Sequence, residues 1–413
     1  MSWPELRLAV RPLPFLESTV DSATRVLELR RRPAPKLLVW HPEMVDWIFR
    51  SDQTMRHPGG RSLVPMFGAR SPLWAEGSRH AAYRQVLGTP LRGRRLADQH
   101  DIIATTVHAA IDALRPGTEI GLMAWTRAIT LRVIARIVLG RFDEDLLDAI
   151  TAWIDKAFGA RHRTLAYRYL LGGLPRPGAE LDQELMRTAK AHTDLYPPTL
   201  AARMLSGDGP LGAIDDAELH DAVVSMIFAG HETTAAGAAW TLYWLDRNLP
   251  IQREVRAELE ATGADGAEAG EVPLLQATVL EMLRLTPPAM SAEHRVLTED
   301  SDLPGRTLPA GTMVTPAIYL AHHNAEVFPS PRRFDPHRFL GNRPPLQYYF
   351  PFGGGTRYCL GSQLAQTEIR MITAAVLRRR IWRCVSPNTD VPRLRGQVLA
   401  PAGARMRVLS CLD

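Results

Sequence analysis

The run Phe352-Gly353-Gly354-Gly355-Thr356-Arg357-Tyr358-Cys359-Leu360-Gly361 constrains this chain more tightly than any other stretch. Its glycines allow tight backbone geometry and let a flat, bulky group approach the main chain closely. A helical pattern follows directly, so Cys359 sits near a helix start, where the macrodipole and unpaired N–H groups favour thiolate over thiol. Arg357, two residues earlier, acts in the same direction. A thiolate held under a flat surface suggests an axial ligand to haem iron. A lone cysteine after a glycine turn would read as a buried structural thiol. Here the agreement of Phe352, Gly355, Arg357, Cys359 and Gly361 in Phe-x-x-Gly-x-Arg-x-Cys-x-Gly favours the ligand.

Composition excludes several classes. With 46% hydrophobic and 23% charged residues over 413 positions, this is an ordinary globular chain able to bury a large core. No unbroken apolar stretch is long enough to span a bilayer, and Met1 to Ser18, with early charges and prolines, is neither signal peptide nor anchor. Cys359, Cys384 and Cys411 do not form a disulfide framework, which fits a reducing, cytoplasmic location. The net charge of +5 comes from arginine, lysine appearing only at Lys36, Lys156 and Lys190. The arginine clusters at Arg30 to Arg32, at Arg92, Arg94 and Arg95, and at Arg378 to Arg380 read as solvated faces; the alternative is a docking patch for an acidic partner. Nothing points to nucleic acid.

The expected architecture is mainly α with small peripheral β-sheets. Lys36 to Trp40 reads as a strand and Pro42 to Arg50 as a helix; Met55 to Trp74 reads as a long loop. Helical periodicity marks about Ser78 to Leu87, His100 to Arg115, Ala124 to Leu139 and Glu144 to Phe158, whereas Arg161 to Pro198 is mixed. Acids at Asp215, Asp216 and Glu218 suit the start of a long helix that continues to about Asn248. Another helix, a loop at Ala261 to Gly270, a helix over Leu274 to Leu285, and strands around Val296, Met313 to Val314 and Met406 to Leu409 complete the pattern.

Several constellations surround the cysteine. Ala229-Gly230-His231-Glu232-Thr233-Thr234 falls midway along the long helix. Gly230 and two threonines weaken that helix, so the segment reads either as a kink facing a ligand or as a close helix crossing. A zinc-peptidase reading of His231-Glu232 fails because position 235 is Ala, not His. Glu281-x-x-Arg284 places opposite charges one turn apart among leucines, with Arg338 a candidate third member. His80-x-x-x-Arg84 puts two donors on one helix face; with Arg295 they could neutralise the two carboxylates of a porphyrin.

In register, these motifs resemble the cytochrome P-450 family, in its soluble bacterial form, over nearly the whole chain. The resemblance implies one triangular-prism-like domain over 1–413 with a long central helix over the haem, a β-containing region at about 1–60 and a helical haem-binding body at about 75–413. It implies haem b (iron protoporphyrin IX) with Cys359 as axial thiolate and metal ligand. His80, Arg84, Arg295 and Arg357 would hold the propionates, and Phe352, Gly353, Ala229 and Gly230 would contact the cofactor. Glu232 and Thr233 would be the catalytic acid–alcohol pair delivering protons to bound oxygen, and Glu281, Arg284 and Arg338 a structural charge triad. Met66, Phe67, Met226, Ala229, Met290, Ser291 and Leu399 would line a pocket for an apolar, medium-sized substrate. The implied activity is hydroxylation or epoxidation of a secondary metabolite, with electrons from a separate ferredoxin and reductase, in a monomer without nucleic-acid or membrane partners. A haem–thiolate sensor without turnover is the alternative; Glu232-Thr233 distinguishes the two. Arg357, where bacterial members often carry His, and Tyr348-Tyr349-Phe350-Pro351 depart from the bacterial pattern.

Overall fold

In a computed structural model, residues 2–207, 209–263, 272–303, 305–386, 393–396 and 398–412 are described. The chain divides into two compact units, each assembled from separated stretches: 1–59, 283–335 and 341–359 in the first, and 60–282, 336–340 and 360–413 in the second.

The first unit is organised by a mixed sheet. Its pivot is the apolar strand Lys36–Val39, antiparallel to Val26–Arg30 and parallel to Met313–Pro316, with Leu37 opposite Val314. Arg295–Leu297 follows with Arg295 opposite Val314, and Met55–Arg56 closes the edge. The helix Pro42–Arg50 starts on a proline, whose missing N–H would have no helical partner there anyway. It buries Val45, Ile48 and Phe49, the i, i+3, i+4 stripe of an amphipathic helix. The helices Trp3–Val10 and Pro12–Glu17 and the strand Val26–Arg30 carry too few residues for periodicity to reveal them in sequence.

The second unit is helical and built around Asp216–Arg247, a helix of 32 residues. Asp215 caps it by accepting from the Glu218 N–H at 2.9 Å, as the acidic run suggested. Helical assignment continues without a break through Gly230 and the threonines. Gly230 and Gly237 are crossing points. A Cβ at Gly230 would lie 2.6 Å from Ile134 of the helix Leu122–Leu139, and one at Gly237 2.6 Å from Ile369 of the helix Ser362–Arg379. The mixed stretch resolves into the helices Arg161–Tyr169 and Ala179–Ala191, and the expected Met55 to Trp74 loop contains the short helix Val64–Phe67. Arg405–Cys411 pairs with Glu119–Gly121 and Arg380–Cys384, and Arg393–Arg395 pairs with Val398–Ala400. The loop expected from Ala261 lies, from 264 onward, outside the described residues. Among the described residues no helix is long and apolar enough to cross a membrane.

Candidate active site

In the first unit the cysteine loop is a tightly built turn. Gly353 and Gly355 adopt φ of +71° and +69°, a region closed to most side chains. The Gly353 N–H donates to Phe350 O at 2.9 Å, and the Cys359 N–H donates to Phe352 O at 3.0 Å. A Cβ on Gly354 would strike the Phe49 ring at 2.5 Å. The turn therefore packs tightly from behind while the Cys359 thiol stays exposed. Phe352 is half-buried, with its ring 6.3 Å from that of Tyr358. The Tyr348 to Pro351 segment is anchored by His322, which stacks on Tyr349 at 5.0 Å and accepts from the Phe350 N–H at 3.0 Å. Burial, with Arg284 nearby, drives the His322 pKa well below the usual value, so its Nε2 is free to accept.

Asp52 joins this loop to the sheet, and nothing in the sequence signals it. Its Oδ1 accepts from Arg295 Nε at 2.7 Å, while its Oδ2 accepts from the Thr356 N–H at 2.7 Å and from the Thr356 hydroxyl. Burial alone would raise the Asp52 pKa; the Arg295 charge and the Thr356 hydrogen bonds outweigh it and hold it below the usual carboxylate range. Arg295, fully buried, also donates to the carbonyls of Glu293 and Gly354. It thus braces the loop as well as supplying positive charge. Burial and the Arg357 charge hold the pKa of His57, whose Nε2 lies 3.2 Å from Asp52 O, below its ordinary value.

In the second unit the long helix presents one open face. From Leu219 to Asp246 it is almost wholly buried, yet Ala229 and Thr233, one turn apart, are exposed. The Thr233 hydroxyl donates back to the Ala229 carbonyl at 2.9 Å, as expected for a helical threonine. The adjacent Glu232 points inward and is 2% exposed. Its Oε1 accepts from Arg127 Nε at 2.8 Å and its Oε2 from Arg395 Nε at 3.2 Å. Both arginines also donate to Asp155 Oδ1, Arg127 at 2.7 Å. Two cations and two anions from four separate elements therefore close into one network. Burial, then the charges of Arg127 and Arg395, drive the pKa of the enclosed His231 well below its normal value.

The remaining expected residues fall as follows. His80 and Arg84 are half-buried and one turn apart on the helix Gly77–Gly88. That helix is tied to the start of the long helix by Glu218, which accepts from Arg79 Nε at 2.8 Å and from the Tyr83 hydroxyl at 2.5 Å. Arg338 Nε meets the fully buried Glu281 at 3.2 Å. Arg284 donates to the carbonyls of His322 at 2.9 Å and Pro331 at 2.8 Å. Of the pocket candidates, Met66, Phe67 and Leu399 are sealed in the core, Phe67 against Phe228 with ring centroids 4.8 Å apart. The Leu399 carbonyl accepts from Trp240 Nε1 at 3.0 Å. Met226 is nearly buried at 9% exposure, Met290 is half-buried, and Ala229 and Ser291 are open.

A model of cytochrome P450 matches residues 149–406. The chain belongs to the cytochrome P450 family. It is 30% identical over 398 residues to cyclooctat-9-en-7-ol 5-monooxygenase of Streptomyces melanosporofaciens, covering 90% of this chain and 85% of the relative. Cyclooctatin synthase of the same organism is 29% identical over 425 residues, covering 96% and 91%. Among solved structures, retinoic acid-bound cyanobacterial CYP120A1 is similar at a TM-score of 0.84 and 20% identity, spanning 100% of this chain and 98% of that one, a likeness of fold. As a P450 the protein is an oxidoreductase of the monooxygenase type, and the family implies a haem cofactor. Within the first unit the residues fit that group: an exposed thiol on a tight glycine turn, with the Arg357 cation two residues earlier in the same loop.

Proposed function

We propose that this P450 inserts one oxygen atom from O2, by hydroxylation or epoxidation, into an apolar, medium-sized substrate of secondary metabolism, with electrons from a separate ferredoxin and reductase. The observation that carries this reading is the exposed Thr233 beside an inward-held Glu232 on an otherwise buried helix. Small apolar Ala229 on the same face suits an apolar guest. A relative named for cyclooctat-9-en-7-ol supports a substrate of that chemical kind. A sensor without turnover would have no use for the acid–alcohol pair.

The Cys359 thiolate would hold haem b, which would supply the oxygen-activating chemistry. His80, Arg84 and Arg357 would pair with its carboxylates, and Arg295, fixed by Asp52, would add positive charge. Gly353 would let the group approach the loop closely, whereas the side of Gly230 that lacks a Cβ faces Ile134, so the expected cofactor contact there is replaced by a helix crossing. Thr233 Oγ1 hands over a proton from the open face, and Glu232 replaces it through water. The Arg127–Asp155–Arg395 frame sets where the Glu232 carboxylate can reach.

Two measurements test this. The ferrous protein with CO shows the strongly red-shifted Soret band of thiolate ligation, and Cys359→Ser abolishes it; survival of the band in the variant would assign the ligand elsewhere. With a substrate that shifts the resting spectrum, Thr233→Ala still consumes oxygen while product falls several-fold and peroxide rises. Fully coupled turnover in that variant would remove Thr233 from the proton path.

A further inference from the structure

His220, half-buried near the start of the long helix, stands between two carboxylates. Its Nε2 lies 2.8 Å from Asp182 Oδ1 on the helix Ala179–Ala191, and its Nδ1 lies 3.2 Å from Asp221 Oδ1. An ionised carboxylate can only accept, so both ring nitrogens have to donate, and that requires the imidazolium. In neutral His220 one of the two nitrogens would turn a lone pair toward a carboxylate. The Asp221 hydrogen bond, opposed by burial and helped by Asp182, raises the His220 pKa above its ordinary value. The neighbouring charges are already paired: Asp215 with Arg70, Glu218 with Arg79, Asp216 with Lys190 and Glu184 with Arg187.

Asp221 also fixes a turn. Its Oδ2 accepts from the Arg70 N–H at 2.9 Å, and Gly68, at φ +79°, sits so close that a Cβ there would overlap its carboxylate. Ser71 adds a second tie, its hydroxyl 2.6 Å from that of Ser225, which donates on to the Asp221 carbonyl at 2.6 Å. These contacts hold Gly68 to Trp74 against the long helix. Phe67 immediately precedes them, its ring 4.8 Å from that of Phe228, the residue before the open Ala229. Trp74 backs Phe67 at 6.4 Å between ring centroids. The ring that titrates therefore touches the carboxylate that fixes the cover at the edge of the open face.

We propose that Asp182, His220 and Asp221 form a proton-operated clamp on the segment Phe67 to Trp74. With His220 charged, the clamp holds that segment on the long helix; with His220 neutral, the segment loosens. His220 and Asp182 are then positioning residues, acting on a guest's path through Asp221 and Phe67. The clamp is complete below the unfolded histidine value of about 6.5 and is lost as pH rises through the raised folded value. Deprotonation removes the cation that joins the carboxylates of two helices, and a lone pair then faces one of them. The Ser71–Ser225 tie does not titrate in this range, so the segment loosens without detaching. The clamp does not depend on the haem ligand; only its effect on guest entry rests on the oxygenase reading.

The test is hydrogen exchange on the purified haem-loaded full chain at about pH 6 and about pH 9, corrected for the intrinsic pH dependence of exchange. Protection of residues 68–74 falls about tenfold across that range, the size of one charge-assisted hydrogen bond, while the helix Leu122–Leu139 is unchanged. His220→Gln gives low protection at both pH values. Asp182→Asn, at a side chain 38% exposed, shrinks the fall to about threefold or less. Both variants keep the wild-type circular dichroism, which reports their fold. Protection that does not change with pH in the wild type overturns the proposal. So does a pH response that survives in His220→Gln or stays full-sized in Asp182→Asn, since another group would then be titrating. A fall shared equally by Leu122–Leu139 also overturns it, because it marks loosening of the whole unit. Neither substrate nor turnover is needed, so failure here is distinct from failure of the oxygenase reading.

Discussion

Replacing Arg127 by Leu would test whether the frame around Glu232 holds as the geometry indicates. The guanidinium Nε lies 2.8 Å from Glu232 Oε1, and the two side chains are 10% and 3% exposed. At an effective dielectric of about 20, unit charges at that distance attract by about 6 kcal/mol before desolvation is subtracted. Removing one partner of a buried pair costs about 3–5 kcal/mol, because the other charge is left behind in a poor solvent. Arg395 Nε remains 3.2 Å from the same carboxylate, so the loss falls at the lower end, about 3 kcal/mol. The assay is urea denaturation followed in parallel by tryptophan fluorescence and circular dichroism, carried through a double-mutant cycle with Glu232→Leu. If the carboxylate is what Arg127 serves, the double variant is less destabilised than the sum of the singles by about 2 kcal/mol. Asp155→Asn, at a side chain 43% exposed, costs less than about 1 kcal/mol. Additivity of Arg127→Leu and Glu232→Leu within about 0.5 kcal/mol would refute the reasoning, since the two residues would then be packing independently.

Two further outcomes follow from packing and burial. Glu368, on the helix after the cysteine loop, is 1% exposed, and burial pushes its carboxyl well above the usual range. Above the unfolded value of about 4.3 the unfolded chain binds fewer protons than the fold, so stability falls as pH rises, by up to about 1.4 kcal/mol per unit. In urea titrations Glu368→Gln flattens that slope, and its advantage over the wild type widens from about pH 4 to about pH 8; parallel curves would show that Glu368 is ionised in the fold. Gly354→Ala drives a methyl into the Phe49 ring and costs about 1–3 kcal/mol. It also displaces the loop carrying Cys359, which thermal melting and loss of the thiolate–CO band would detect together. An unchanged melting temperature with an intact band would mean that the contact yields without strain.

Much of this fold was legible because its signals are local. The Asp215 cap, the apolar stripe of Pro42–Arg50 and the glycines before Cys359 each act within a few residues. The two helices inside the mixed stretch were harder to see, since Gly172, Gly173, Pro175, Pro177 and Gly178 interrupt the pattern between them. The pocket candidates show a different limit. Ala229 and Leu399 are both apolar and near the motifs, yet one lies open and the other is sealed under Trp240. An apolar side chain carries the same sequence signal whether it fills a core or lines a cavity.

Cys359, Glu232 and Thr233 could be named from the chain because each lies in a short run whose neighbours state its chemistry. Their supports could not. Asp52 reaches Arg295 across 243 positions and Thr356 across 304, and Glu232 finds Arg127 and Arg395 at separations of 105 and 163. One carboxylate or guanidinium resembles any other until folding removes water from around it. At that point the need to pair each buried charge selects the partner, and only the tertiary structure shows which one was within reach.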